Sequence, residues 1–269
     1  MESIEGPKEL PPPAKSAPGE MPKLNETQLK YFDTEYVSPE MWRLTERWIA
    51  NSFPDGRFSF LDVGGGNGAF TDSLLSRFPR ATGVLIDNGE ALLARNKPHP
   101  RKTLLCQSAI EMDRRFSGRS FDLICLNWLL HHLVLRSYIE TCRLQARVVA
   151  AARDLLSARG RICVFENLYD GMIIDALPSH LIFQLTSSHV LSPIIKRLGA
   201  NTAGCGVCFR SRTQWEQLFR EAKLEMKHVQ VYGQHPIGKA KKIALHIRSA
   251  HIAAFWLAQP RASSLHSIR

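Results

Sequence analysis

Phe58-Ser59-Phe60-Leu61-Asp62-Val63-Gly64-Gly65-Gly66-Asn67-Gly68-Ala69-Phe70 decides how this chain folds. The apolar run from Phe58 to Val63 suits a strand buried on both faces, and the glycines after it let the backbone turn tightly and pass close to a ligand. Phe70, Leu74, Leu75 and Phe78 then recur at helical spacing. A strand feeding a helix through such a turn leaves N–H groups at the helix N-terminus, facing the crevice at the carboxyl end of a sheet. A nucleoside or an acidic group is expected there.

The turn alone fits two ligands. Gly64-x-Gly66-x-x-Ala69 satisfies the dinucleotide fingerprint, whereas Asp62-x-Gly64-x-Gly66-x-Gly68 satisfies the acidic-x-G-x-G-x-G pattern of an S-adenosylmethionine (SAM) site. Both need a carboxylate at the end of the next strand to bind ribose hydroxyls. Asp87, which closes Ala81 to Asp87, supplies it.

At 269 residues, 44% hydrophobic and 22% charged, the composition is that of an ordinary globular chain with room for one α/β domain and a cap. A net charge of +10 favours an anionic partner or reflects a basic, solvated surface, and does not choose between them. No apolar run reaches the roughly 18 residues of a membrane span and no signal peptide is recognisable, so a cytoplasmic location is expected, with surface association left open. Cys106, Cys125 and Cys163 fall inside predicted strands, where a thiol behaves as a small buried hydrophobe.

The rest of the chain alternates as a doubly wound sheet requires. Residues 1–23 read as a disordered lead-in and 24–260 as the domain, with a basic tail over 261–269. Ser38-Pro39 starts a helix that ends near Asn51. Strands are expected at Ala81 to Asp87, Thr103 to Gln107, Phe121 to Asn127 and Arg161 to Phe165, with a short helix from Glu90 to Asn96. A long helix is expected from Tyr138 to Arg159, stopped by Gly160. Residues 167–210 form an apolar insertion, a cap over a pocket, a core extension or a dimer interface, in which Ser192-Pro193 starts a helix that Gly199 stops. Thr213 to Glu216 reads as a capping box, and two terminal strands, Lys227 to Tyr232 and Ile252 to Ala258, flank a basic connection with Lys239, Lys241, Lys242 and Arg248.

Asp62 to Gly68, with Phe121 to Asn127 and the trailing Trp128-Leu129-Leu130-His131-His132, resembles the class I SAM-dependent methyltransferases of the small-molecule branch, over about Tyr36 to Gln259. The resemblance implies a mostly parallel seven-stranded sheet with an antiparallel terminal hairpin and an insertion after the fifth strand. It also implies roles. Asp62, Gly64, Gly66 and Gly68 would hold the methionine portion of SAM, Asp87 the ribose, and Asn88 the adenine. Ser108 and Ala109 stand where relatives often carry an acidic residue for the adenine amino group, Asn127 would lie under the sulfonium, and Tyr36 would close over the cofactor. A nicotinamide-dependent oxidoreductase and a non-catalytic protein of the same fold are the competing readings.

Methyl transfer from a sulfonium needs an aligned acceptor and a dry site, and a hydroxyl acceptor also benefits from a base. His131, His132 and Glu166 are the catalytic candidates, with His180 and His189 of the insertion beside them. Cys205-Gly206-Val207-Cys208 lacks a second ligand pair, so no metal is expected. The fourth strand lacks the Pro-Pro-aromatic signature of exocyclic amino methylation and no separate RNA-binding module is recognisable, which argues against a nucleic-acid partner; the apolar insertion with the basic charge suits a small, amphiphilic or anionic acceptor.

Overall fold

The computed structural model describes residues 37–197, 202–234 and 236–260. Tyr36, the lead-in, the tail and Gly199 lie outside them.

Helix α1 (Pro39–Ser52) starts where Ser38 Oγ accepts the Met41 N–H at 3.2 Å, and its Met41, Trp48 and Ile49 are buried. Strand β1 (Ser59–Val63) follows and is buried from Phe60 onward, as a strand covered on both faces must be. Helix α2 (Ala69–Arg77) returns the chain to β2 (Thr82–Asp87), α3 (Glu90–Leu93) leads to β3 (Lys102–Cys106), and α4 (Met112–Arg115) leads to β4 (Phe121–Cys125). Then come α5 (Tyr138–Asp154), β5 (Leu156–Gly171), α6 (Leu177–Ser187), α7 (Ser192–Arg197), α8 (Arg212–Glu221), β6 (Glu225–Gln234), α9 (Lys239–Ala244) and β7 (Ile247–Ala258). The sheet order is β3-β2-β1-β4-β5-β7-β6. β1 to β5 are parallel, and β7 runs antiparallel to both β5 and β6.

Two apolar layers sandwich this sheet. On one face Trp48, Ile49, Phe53 and Leu74 pack over Phe60, Cys125, Phe165 and Trp256; on the other Leu144, Val148, Trp215 and Phe219 pack over Leu61, Ile124, Val164 and Phe255. Alternate strand residues feed opposite layers, as the period of two dictates.

Several local expectations are corrected. The long helix ends at Asp154 and not at Arg159, because the Leu155 carbonyl accepts the Phe121 N–H at 2.8 Å and Leu156 already pairs with Phe121. Gly160 therefore sits inside β5, where a Cβ would press on the Ser157 carbonyl at 2.9 Å. β5 runs on to Gly171, held by a ladder with β7 from Ile162↔Leu257 to Gly171↔Ile247, so strand continues into the segment read as insertion. The β4 strand stops at Cys125, two residues before Asn127.

The cap of α8 is Ser211, whose Oγ accepts the Gln214 N–H at 3.2 Å while Gln214 Oε1 accepts the Ser211 N–H at 3.0 Å; Thr213 turns its hydroxyl to Asp175 instead. The basic connection contains helix α9, and Arg248 belongs to β7. Cys125 and Cys163 are buried, but Cys106 is exposed because β3 is an edge strand. The insertion's apolar residues divide. Ile182 and Phe183 are buried, whereas Met172, Ile173, Ile174, Val190 and Leu191 are exposed. Among the described residues no helix is long and apolar enough to cross a membrane.

Gly83 faces Phe60 across the β1–β2 pair, and a Cβ there would overlap the Phe60 ring. Gly83→Val is expected to destabilise the fold by about 3 kcal/mol, the upper end of overpacking costs, measured as a lower urea midpoint. An unchanged midpoint would show that the two strands are not in this register.

Candidate functional site

The carboxyl ends of β1, β2 and β4 meet at the glycine turn. Gly64 and Gly65 N–H groups both donate to the Ile86 carbonyl, at 2.7 and 3.3 Å, which pins the turn to β2. Gly64, Gly66 and Gly68 have φ of +73, +53 and +80°, a region that side chains disfavour. A Cβ at Gly64 would meet Leu129 at 2.8 Å and one at Gly65 would meet Leu85 at 2.6 Å; at Gly66 the nearest atom is Leu92 Cδ1, at 3.9 Å. Packing closes the other positions, and Gly66 is the one that leaves room for a ligand to approach the backbone.

Two carboxylates frame the turn. Asp62 is 2% exposed and accepts the Thr71 hydroxyl at 2.6 Å; burial pushes its pKa up to about 6. Asp87 accepts the Gly66 N–H at 3.0 Å through one oxygen and the Gly89 N–H at 2.7 Å through the other, and burial raises its pKa too. Asn96 Nδ2 donates to the Gly66 carbonyl at 2.8 Å, and Lys102, buried, donates to Asp72 at 2.6 Å and to Asn96 Oδ1 at 3.3 Å. Thr71, Asn96 and Lys102 carry no motif in the sequence, since their partners are 9, 30 and 30 residues away.

Asn88 is exposed beside Asp87. Ser108 caps the single turn Ala109–Glu111, its Oγ accepting the Ile110 N–H at 3.3 Å, and Ala109 is buried. Just beyond β4, Asn127 holds its side-chain oxygen and nitrogen buried without a hydrogen-bond partner. Trp128 follows at φ +57°, with its N–H donated to the Phe165 carbonyl at 2.9 Å. Such a conformation costs a large residue about 1–3 kcal/mol and collects at functional positions.

The paired histidines separate chemically. His131 Nδ1 donates to Glu166 Oε2 at 2.7 Å and its backbone N–H to Glu166 Oε1 at 3.2 Å. Glu166 is fully buried on β5 and His131 is 5% exposed. In that tautomer Nε2 keeps its lone pair, so the ring can take a proton there while Glu166 holds it in place. The ring packs on Phe209, with centroids 4.9 Å apart, and on His132 at 4.1 Å. Burial, reinforced by His131, holds the His132 pKa well below the ordinary imidazole value, so His132 stays neutral. His180 and His189 are exposed on the insertion, His180 against Tyr138 with ring centroids 4.8 Å apart. Among the described residues no three His, Cys, Asp or Glu side chains gather as a metal site, at Cys205 to Cys208 or elsewhere.

Residues 61–162 match the family model described as a methyltransferase domain. Over 195 residues the chain is 27% identical to the 8-amino-8-demethylriboflavin N,N-dimethyltransferase of Streptomyces davaonensis, covering 70% of this chain and 47% of that protein. The chain thus spans about half the length of that relative. Among solved structures, a candidate methyltransferase of Bacillus halodurans superposes with a TM-score of 0.53 at 14% identity, covering 79% of this chain and 98% of that one. LepI in complex with SAM superposes with a TM-score of 0.53 at 13% identity, covering 87% of this chain and 51% of that one. The matched segment runs from inside β1 into β5 and so includes the glycine turn, Asp87, Asn127 and His131. That segment, similar to a methyltransferase domain, sits in a seven-stranded sheet whose β7 runs antiparallel.

Proposed function

We propose that the protein moves a methyl group from SAM to a hydroxyl of a small molecule, with His131 as the general base and Glu166 as the residue that orients it. The observation that carries this reading is the buried His131–Glu166 pair at 2.7 Å, one turn beyond the end of β4. SAM supplies an activated methyl carbon; the chain supplies binding, alignment and proton removal. Asp62 would hold the ammonium group, the open backbone at Gly66 the methionine portion with Gly64 and Gly68 shaping its turn, Asp87 the ribose hydroxyls, and Asn88, Ser108 and Ala109 the adenine. Asn127 supports the fit, because a buried amide without partners is a docking point that a ligand would satisfy. The exposed apolar residues from Met172 to Ile174 and the net charge of +10 favour an amphiphilic, anionic acceptor. A nitrogen acceptor is the second reading, favoured by the relative whose name specifies N-methylation.

Gly66→Arg should abolish SAM binding in calorimetric titration while the circular dichroism spectrum is kept; unchanged affinity would move the site elsewhere. An ammonium ligand prefers the ionised Asp62. Because that carboxyl titrates near 6 in the folded protein, SAM affinity should fall about tenfold per pH unit below about 6, and Asp62→Asn should remove the slope. A pH-independent affinity between 5 and 7 would contradict the assignment. His131→Ala should lower turnover of a hydroxyl acceptor by about 10² to 10⁴ with SAM affinity unchanged, and Glu166→Gln should lower it less. Full activity of His131→Ala would favour the nitrogen acceptor.

A further inference from the structure

Arg210 is 8% exposed, yet among the described residues it forms no ion pair with a carboxylate. Its Nε donates to Gln145 Oε1 at 2.7 Å, one Nη to the Cys142 carbonyl at 3.3 Å, and the guanidinium lies over the Trp215 ring at 5.4 Å. A buried cation is normally matched by an anion. The groups beside it that can become anionic are the thiols of Cys142, half-buried on α5, and Cys208, buried in the loop before α8.

These thiols share one apolar cluster. Cys208 packs with Val134 and Phe183, and Cys142 and Tyr138 pack against the same cluster. Ser179 Oγ lies 3.9 Å from the Cys208 sulfur and 2.9 Å from the Tyr138 hydroxyl. The Cys208 thiol proton, with Arg210 and Tyr138, draws the Cys142 pKa down to about 6, while Cys208 is pushed well up. Cys142, half-buried and on the residue whose carbonyl Arg210 bonds, is the thiol an oxidant reaches first, and buried Cys208 is its resolving partner.

We propose that Cys142 and Cys208 are a redox modification site, a reversible disulfide that joins α5 to the loop beside His131. With a hydroperoxide as oxidant, the Cys142 thiolate attacks the distal peroxide oxygen. The O–O bond breaks, a sulfenic acid forms, and the leaving alkoxide or hydroxide takes up a proton. Cys208 then attacks the sulfenyl sulfur, its thiol proton leaves with the displaced hydroxide as water, and the S–S bond forms. The two sulfurs give up two electrons in all, and the peroxide accepts them.

The consequence reaches the proposed base. The Cys208 N–H donates to the His131 carbonyl at 2.9 Å, Gln145 Nε2 bridges the Leu130 and Cys208 carbonyls at 2.9 and 3.1 Å, and the next residue, Phe209, lies on the His131 ring. Drawing the sulfurs together to about 2.0 Å pulls on that loop and on the Phe209 contact.

The test uses the full chain, treated with hydrogen peroxide, alkylated with N-ethylmaleimide and mapped by mass spectrometry without reduction. A peptide pair joined through Cys142 and Cys208, two hydrogens lighter than the separate peptides and released by dithiothreitol, is expected, and it should be absent from Cys142→Ser. In Cys208→Ser, dimedone should trap a sulfenic acid on Cys142. If Cys208→Ser fails to fold, the wild-type map and Cys142→Ser, at a half-buried site, still decide. Oxidation confined to Cys106, a Cys205–Cys208 bond, or Cys142 carried to sulfinic acid without a cross-link would each overturn the proposal.

Discussion

The hydrogen bond from the Gly66 N–H to Asp87 is the constraint on which the rest of the site depends. β1 and β2 run parallel, so the turn after β1 passes over the end of β2. There the carboxylate of Asp87, fixed on its other oxygen by Gly89, holds the turn down. The backbone reaches that position by taking positive φ at three glycines. Asn96 and buried Lys102 brace the far side of the turn, and Thr71 ties Asp62 to α2. The result is a surface whose packing is closed at Gly64, Gly65 and Gly68 and open at Gly66.

A second constraint places the proposed base. β5 is long because β7 pairs with it antiparallel over most of its length, and that extension carries Glu166 past the end of β4. Glu166 is buried there and finds the backbone and ring N–H groups of His131. The same crossing accounts for the strained Trp128, whose N–H must reach the Phe165 carbonyl next to Glu166. An isolated buried carboxylate would be costly, so the two donations from His131 are what make Glu166 tolerable in that position.

The strand-turn-helix frame was legible because it is written in local chemistry: apolar runs of strand length, Gly64 to Gly68, and Asp87 at the end of the next run. The alternation of strand and helix followed from the order of those runs, and the antiparallel end from the family resemblance they carry. Features set by distant partners were not legible. Gly160 looked like a helix stop because glycine favours that position, but the β4–β5 pairing had already ended the helix at Leu155. Thr213-x-x-Glu216 has the letters of a capping box, yet Asp175, 38 residues away, takes the Thr213 hydroxyl and leaves Ser211 as the cap. His131 and His132 are indistinguishable by spacing. Only the β5 register, which brings Glu166 to one ring nitrogen, tells them apart. Lys102 and Thr71 went unread for the same reason.

The turn from Gly64 to Gly68 is proposed to hold SAM and not a nicotinamide dinucleotide. Calorimetric titration of the full chain with SAM, and separately with NAD and NADP, addresses it directly. Saturable SAM binding at one site per chain is expected, with no heat of binding from either dinucleotide. Tight binding of NAD or NADP without binding of SAM would contradict it.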